Sequence, residues 1–482
     1  MDLMLTYDRD RMDRLDSVAV MKLVAKHRSK VAPEYIRNMD YYLGRHEILN
    51  NKRVSEDAPN ARVIANHAKN VSDTAAGYFM GNPISYRLTG HEDDQAAQDA
   101  FRSLLEAMSR ATVDDDDQEN ALVLSICGKA FEYIYAAEGS SDLQEKPIDP
   151  QNAFLVYDQS IDHQELFGVY YYRKEHEDEA GNKTYSTEVL VMTDTEERFY
   201  SIPEGHEKNR IRPYLERPHN IGQVPLVEYR NNNYAIGDFA QQIGLIDAYN
   251  TMTSDRINDK EQFIDAILVL YGAILGDTDE ESQQALDDLQ KRKLLELPAE
   301  GARAEYLVRQ LDESGMEILR AALKEDIYTF SQVPNLTDDN FAGNASGVAM
   351  EYKLLGLEML TKTKERWYRR GLRKRLEIFM RHLAILTPER ALFNESDIDI
   401  TFSRSLPKNL LELSQIFSYL SGSVSQETLL TLLPFVKDPA EEAEALEAEQ
   451  AAELEAQRAA FGIPTGAEAE QAANTPPEEI DG

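Results

Sequence analysis

The sequence predicts an α+β protein, mainly helical and divided into several domains. Three observations carry this reading. Apolar residues recur at helical spacing over much of the chain, most persistently over about 347–386. β-rich runs are concentrated between 121 and 230. The 482 residues leave room for roughly three domains at about 150 residues each. With 42% hydrophobic and 9% aromatic residues, the chain has enough apolar surface for at least one sizeable core.

Taken in order, residues 1–60 read as helix broken by turns, with Tyr35, Met39 and Tyr42 on one side of a helix that Gly44 closes. A second helix covers Asn66 to Met80 and stops at Gly81-Asn82-Pro83, where a residue permissive for positive φ meets one that cannot continue a helix. Residues 84–88 read as a short strand and 92–112 as an amphipathic helix with Phe101, Leu104, Leu105 and Met108 inward. Asp114 to Asp117 suit a helix N-terminus. The β-rich runs are Phe131–Tyr135, Phe154–Tyr157, Phe167–Tyr172, Glu188–Met192 and Arg198–Tyr200, parted by turns such as Glu179-Ala180-Gly181-Asn182.

At Asp238 the regime changes. Residues 239–265 contain no Pro, and Phe239, Ile243, Ile246, Tyr249 and Met252 recur at helical spacing. About 27 residues at about 1.5 Å each predict a rod of about 40 Å. Residues 266–312 are mixed, with strand-like Ile267–Tyr271 and Ala304–Val308 around a short acidic helix near 280–290. A second helix spans about 313–332 and ends before Pro334. Residues 335–345 lack a regular pattern, and Ser346 reads as the N-cap of a very long helix that Gly356 and Gly371 allow to bend. Ile398–Phe402 alternates as a strand, and 410–420 and 426–433 read as short helices. The last segment, 438–482, is rich in Ala and Glu; thirteen acids against Arg458 give it a charge of −12. Its first half can be helical, and after Pro464 it is expected to be disordered.

The net charge is −35, from 86 acidic and 51 basic residues. That excludes the simplest kind of nucleic-acid binder, one whose basic surface neutralises phosphates, but not a protein that handles DNA without gripping it. The single cysteine, Cys127, leaves no intrachain disulfide and suits a reducing compartment. The first residues lack the basic start and apolar run of a signal peptide, and the longest apolar stretch, Phe263 to Leu275, is too short to span a bilayer. A soluble, intracellular protein with no membrane partner is expected.

Motifs that carry chemistry are few in this sequence. Gly128-Lys129 is followed by Ala130 and is not a phosphate-cradling loop; neither a GxSxG nor an HExxH pattern occurs. His163, His176, His206 and His219 lack metal-ligand spacing and read as surface or satisfied histidines. Asp277–Glu281 opens like a calcium loop but lacks Gly at the sixth place. Asp397 and Asp399 would share one face of a strand, and Asp114 to Asp117 would form a solvated acidic cap in preference to a cation site. No catalytic residue, metal or cofactor is assigned, and the chain does not read as an enzyme. The low-ranking enzymatic alternative is a metal-dependent phosphoesterase built on Asp397, Asp399 or Asp114 to Asp117.

Residues 362–381 hold nine bases, Lys362, Lys364, Arg366, Arg369, Arg370, Arg373, Lys374, Arg375 and Arg381, against Glu365 and Glu377, a local +7. On a helix they surround the axis instead of forming one stripe. Phosphate contact is one reading; ion pairing to acidic neighbours, within the chain or across subunits, is preferred in so acidic a protein.

Several stretches together resemble the portal proteins of tailed bacteriophages, in the siphophage branch, over about residues 30–445. They are Tyr41-Tyr42-Leu43-Gly44, Ala65–Asp73, Gly77–Ile84, Asn340–Ala349 with Gly356-Leu357-Glu358, Ile400–Pro407, Ser425–Leu430 and Val436–Pro439. The resemblance implies a portal-type subunit: a wing at 1–237, stem helices at 238–265 and 313–333, an α/β clip at 266–312, a tunnel loop at 334–346, a long kinked helix and wing strand at 347–402, and a helical crown at 403–440. It implies nothing about an acidic tail at 441–482. It further implies a ring, usually of twelve copies, at one capsid vertex of the virion, assembled in the host cytoplasm. Double-stranded DNA would pass through it without sequence specificity during packaging and ejection. The terminase large subunit, head-completion or connector proteins, and the major capsid and scaffolding proteins would be its partners. Asp338, Asp339, Asn340, Phe341, Gly343 and Asn344 are then the expected DNA-facing loop, and Lys362, Lys364, Arg366, Arg369, Arg370 and Arg373 a DNA or inter-subunit helix. A duplex carries one charge per about 1.7 Å, so a cationic bore would hold it and an acidic bore would let it slide. The competing structural reading is an adaptor or scaffold ring of the virion without a channel.

Overall fold

The fold is that of a computed structural model, which describes residues 4–52, 59–137, 139–177, 181–262, 267–271, 278–284, 303–307, 313–336, 347–386, 392–404 and 410–431, and individual residues between 433 and 452. The chain divides into two compact units, Met1–Gly343 with Glu351–Ser405, and Asn344–Met350 with Leu406–Gly482.

After the short strand β1 (Leu5–Thr6), helix α1 (Ser17–Lys30) begins at Asp16, whose carboxylate accepts the Ala19 amide at 2.9 Å. Helix α2 (Ala32–Tyr42) buries Ala32, Tyr35, Asn38 and Tyr41. Of Tyr35, Met39 and Tyr42, read as sharing one side, Tyr35 is buried and the other two are half-buried. Two polar contacts bring Asn38 and Tyr41 inward beside them: the Asn38 amide donates to Ile126 O at 3.2 Å and the Tyr41 hydroxyl to Asp247 at 2.7 Å. Helix α3 (His67–Met80) is capped by Asn66, which accepts the Lys69 amide at 3.0 Å. It ends at Gly81 in a right-handed conformation, so Pro83 stops it without the positive φ that glycine permits.

Strand β2 (Ser85–Leu88) and helices α4 (Gln95–Arg110) and α5 (Val113–Cys127) follow. Helix α5 leaves through Gly128 at φ +82, where a Cβ would stand 2.2 Å from Ala235 O, so both the turn and the close approach require glycine. Eight strands come next: β3 (Lys129–Ala136), β4 (Leu143–Ile148), β5 (Ala153–Tyr157), β6 (Glu165–Glu177), β7 (Lys183–Met192), β8 (Glu196–Pro203), β9 (Leu215–Pro218) and β10 (Leu226–Arg230). They form a six-stranded sheet in the order β1-β5-β6-β7-β8-β9 and a three-stranded sheet β10-β3-β4. In these two sheets β1 and β5 pair in parallel and the other pairs are antiparallel; β5 to β9 form a meander, with β6 and β7 in register from Gly168↔Met192 to Glu177↔Lys183.

Helix α6 (Ile243–Gln262) has 20 residues, about 30 Å at about 1.5 Å per residue. It starts four residues later than the periodicity of Phe239 suggests, because 239–242 are held in turns. Strands β11 (Ile267–Tyr271) and β12 (Arg303–Leu307) pair antiparallel between α6 and helix α7 (Glu313–Ser331). Helix α8 (Gly347–Leu386) is the longest, at 40 residues. Strand β13 (Ile398–Thr401) returns to pair with β2, burying Ile398 and Ile400 and exposing Asp399 and Thr401 in the expected alternation. In the second unit, α9 (Leu410–Leu420) and α10 (Gln426–Leu430) are the named helices. None of the described helices is long and apolar enough to cross a membrane.

Among the described residues the first unit holds three apolar clusters, two of which seat α1 and α8. Val20 and Val24 of α1 pack on Phe154, Val156, Phe167, Val169 and Val191 of the large sheet. A second core gathers Phe79, Leu104, Leu124, Ile134 and Tyr229 around Tyr368, Leu372, Leu376 and Phe379 of α8. Helix α8 is therefore a spine of this unit, and its buried face belongs to the fold.

Candidate functional site

Among the described candidate site residues, the nine bases on or near α8 carry the strongest charge, and the structure separates them by face. The helical period places Thr361, Lys364, Tyr368, Leu372, Arg375 and Phe379 on the buried side. Lys364 is 1% exposed and ion-pairs with Asp238. Asp238 also accepts from the Ser125 hydroxyl, and from Asn231 Nδ2 at 2.8 Å. A charge at this depth is tolerated only when fully partnered. Here the pairing ties α8 to the last turn of α5 and to the loop that enters α6.

Arg375 is fully buried among three carboxylates. Its Nη2 donates to Asp117 at 2.7 Å, Glu132 at 2.5 Å and Glu145 at 2.9 Å, and its Nη1 to the second oxygen of Asp117 at 2.9 Å. The Tyr368 hydroxyl donates to Asp117 and the Tyr229 hydroxyl to Glu132, both at 2.6 Å, and the two rings stack with centroids 4.2 Å apart. Three carboxylates around one guanidinium leave a negative excess in a dry site. Glu145 relieves it: burial, with Glu132 and Asp117 nearby, holds its carboxyl well above the usual range against the pull of Arg375. Neighbouring Asp116 is pushed up to about 6, first by burial and then by Glu119. The expected solvated cap thus survives only in part. Asp114 and Asp115 are exposed in the first turn of α5, whereas Asp117 is buried on Arg375. At Gly371 a Cβ would stand 2.4 Å from the Tyr229 ring, so the glycine lets α8 approach β10.

Lys374 is bound by Glu165 and donates to Leu226 O at 2.7 Å; Arg381 is held by Glu377 at 2.5 Å and Gly222 O at 3.0 Å. With these and the two buried bases assigned to the fold, one ridge remains. Lys362, Arg366, Arg370 and Arg373 are exposed and Arg369 is half-buried beside them. The nine bases lie on several sides of the axis, as expected, but five of them share one side. Arg369 lies 5.7 Å from the Phe402 centroid and Arg370 4.0 Å from that of Trp367. Lys362 reaches Glu358 at 3.5 Å. Among the described residues no carboxylate lies within ion-pair distance of Arg366, Arg369, Arg370 or Arg373. Glu365, the acid on this ridge, is taken by Arg404, which also donates to Glu358 at 2.8 and 3.1 Å. Sequence reading gave Arg404 no role. Glu358 and Glu365, one heptad apart, were the available signal.

Asp338, Asp339, Asn340, Phe341, Gly343 and Asn344, and the Ser346 cap, lie outside the described residues. The helices on either side of β11 and β12 are described. Arg256 of α6 reaches Glu313 at 2.7 Å and Glu317 at 2.9 Å on α7, and Arg320 of α7 donates to the Tyr249 hydroxyl at 3.0 Å. Helix α6 is anchored by a ladder that sequence reading missed. Asn250, Ser254 and Asn258 accept the amides of Ala65, Val63 and Ala61 at 2.9, 2.9 and 2.6 Å. Every fourth helical residue advances about 6 Å, and every second residue of an extended chain about 6.6 Å, so the two repeats run in step. Among the described residues no group of three His, Cys, Asp or Glu side chains is placed to hold a metal ion.

The sequence model of the family described as "Phage portal protein, SPP1 Gp6-like" matches residues 22–456. The chain belongs to that family. It is 24% identical over 466 residues, 90% of this chain and 86% of the other, to the portal protein of Bacillus phage SPP1. It is 27% identical over 238 residues, 48% of this chain and 49% of the other, to the portal protein of Clostridium phage phiCD119. Among solved structures, a chain of the "Neck of native GTA particle computed with C12 symmetry" covers 76% of this chain and 88% of that chain at TM-score 0.42 and 10% identity. Family membership makes this a portal subunit of the ring at a phage capsid vertex. The family match also runs beyond the motif-based limit of about 445, into the acidic segment as far as 456.

Proposed function

We propose that copies of this chain close into a ring, of twelve in the family pattern, whose bore is the channel for double-stranded DNA during packaging and ejection. The observation that carries the reading is the charge of −35 in a portal-family chain. A conduit for a polyanion must repel it enough to avoid capture, because every phosphate neutralised adds salt-dependent affinity. Four bases of α8 fit this economy: Lys364, Lys374, Arg375 and Arg381 are bound by acids or carbonyls of their own chain.

In this reading α6 and α7 are the stem and 266–312 the clip, where the terminase large subunit and later the head-completion or connector proteins dock. Capsid and scaffolding proteins surround the wing, at 1–237 with the wing strand of 347–402, and the crown is 403–440. Residues 334–346 are the loop that touches DNA, with Asn340, Phe341 and Asn344 brushing the backbone beside Asp338 and Asp339, and Gly343 supplying movement. No base is read, so passage is independent of sequence. Assembly takes place in the host cytoplasm before the ring becomes part of the virion.

Deleting 338–345 is the test. Rings with a central hole are expected by negative-stain imaging, and heads assembled with them are expected to contain no packaged DNA. DNA-filled heads from the deletion would overturn the role of the loop.

A further inference from the structure

The basic ridge of α8 is one half of a longer exposed stripe. Tyr352, Leu355 and Met359 are 75%, 52% and 62% exposed, and they continue through Lys362, Arg366, Arg369 and Arg373 at alternating steps of three and four residues. That is the spacing of a docking seam, held here over about 30 Å of helix. The seam changes character along its length: apolar at its N-terminal end, cationic at its C-terminal end. DNA is a poor occupant, because an apolar third of the face offers phosphates nothing.

The sequence supplies a segment with the complementary order. Residues 441–449 carry five acids, Glu441, Glu442, Glu444, Glu447 and Glu449, and no base, with Leu446 among them; residues 450–461 carry Leu454 and Phe461, and their Glu453 and Glu455 are half offset by Arg458. From 441 to 461 is about the length from 352 to 373. Residues 442, 443, 445, 446, 448–450 and 452 are helical where described, and the family match reaches 456. We infer that the face Tyr352–Arg373 of α8 binds the acidic segment 441–461 of a neighbouring copy, antiparallel, with carboxylates on the arginines and Leu454 and Phe461 on the apolar end. The inference rests on the ring reading, which supplies the neighbour. It gives the −12 tail a purpose: a clasp between subunits built on charge and apolar order together.

The test uses full-length chains. One carries Arg366→Cys, a second and differently tagged one carries Glu447→Cys; Cys127 is buried in both. Mixed and treated with a short bis-maleimide, they are expected to form a link between the two tagged chains. Arg370→Glu with Arg373→Glu in the first chain should lower the yield about tenfold, and so should Leu454→Ala with Phe461→Ala in the second. Tyr352→Cys with Glu442→Cys should not link, because antiparallel docking puts them at opposite ends. Failure of the first pair to link, or a yield indifferent to the charge reversal, would overturn the inference. A short DNA duplex that abolishes the link and is itself released by Arg370→Glu with Arg373→Glu would assign the face to DNA and also overturn it. Rings that form without the link sink the clasp alone, whereas chains that stay monomeric sink the ring reading.

Discussion

Lys364 and Arg366 are two residues apart on α8, yet Lys364 is 1% exposed against Asp238 while Arg366 faces solvent with no acid in reach among the described residues. The same contrast divides Arg375, enclosed by Asp117, Glu132 and Glu145, from Arg373. A run of nine bases is thus two systems interleaved by the helical period. The inner set fixes how α8 packs on α5 and on the sheet of β3, β4 and β10. The outer set is left over from folding and is available to something outside the subunit. A charge count sums the two, and only the face on which each residue falls tells them apart.

The strongest way to break this comparison is at its centre. Arg375→Ala leaves two or more buried carboxylates without their cation, and a broken buried pair costs about 3–5 kcal/mol. Urea denaturation is expected to show that loss in midpoint at unchanged slope. A variant as stable as the parent would mean that the cluster is solvated and that the inner and outer bases do not differ.

A pH titration sharpens the picture from a neighbouring core. His27 is 1% exposed, and burial followed by the nearby Lys129 pushes its imidazole down from 6.5 to about 4. The folded state therefore binds that proton less readily than the unfolded chain. Its contribution is complete above pH 6.5 and is lost as pH falls through 6.5 toward 4, about 3 kcal/mol in all. Glu145 has the opposite sign. Its raised carboxyl favours the folded state at acid pH, and that contribution is lost as pH rises through its folded value. Thermal midpoints against pH are expected to lose their acid limb in His27→Gln, and in Glu145→Gln the decline that sets in as pH rises above the ordinary carboxylate range. An unchanged acid limb in His27→Gln would show that other groups dominate it.

The ladder on α6 gives smaller effects. Replacing Asn250, Ser254 or Asn258 by Ala leaves one half-buried amide at 65, 63 or 61 without its acceptor, worth about 1 kcal/mol each. Hydrogen exchange at the matching amide, and not at the other two, is the specific readout. Uniformly faster exchange across 61–65 from one substitution would mean that the segment is held as a unit and not rung by rung.

What could be read in the sequence follows the range of the forces involved. The long helix, the β-rich region and the β13 alternation were legible because local periodicity carries them. The family was legible because short motifs kept their order. The burial of Asn38 and Tyr41 on α2 was not, since they are drawn inward by Ile126 and Asp247, 88 and 206 residues away. In the sequence Asp117 is one of four equal acids; its distant partners Arg375 and Tyr368 distinguish it. The α6 ladder combines a period of four in one segment with a period of two in another, and neither alone looks unusual. The stripe on α8 was legible in principle, but reading 362–381 by charge alone cut it off from Tyr352, Leu355 and Met359, which complete its spacing.

The smallest expected effect is the most discriminating. Arg366→Gln, Arg370→Gln and Arg373→Gln remove three charges that no described acid answers, so each is expected to change subunit stability by no more than about 0.5 kcal/mol in either direction. Lys364→Gln, next to them in sequence, leaves Asp238 buried without its cation and is expected to cost several times more. Denaturation of the four variants at one salt concentration makes the comparison. If relieving the mutual repulsion of the outer arginines raises stability, as like charges on one helix face predict, the outer set is a strain that the fold tolerates for the sake of a partner. If their loss lowers stability as much as Lys364→Gln does, the outer set belongs to the fold after all, and the division of α8 into two systems fails.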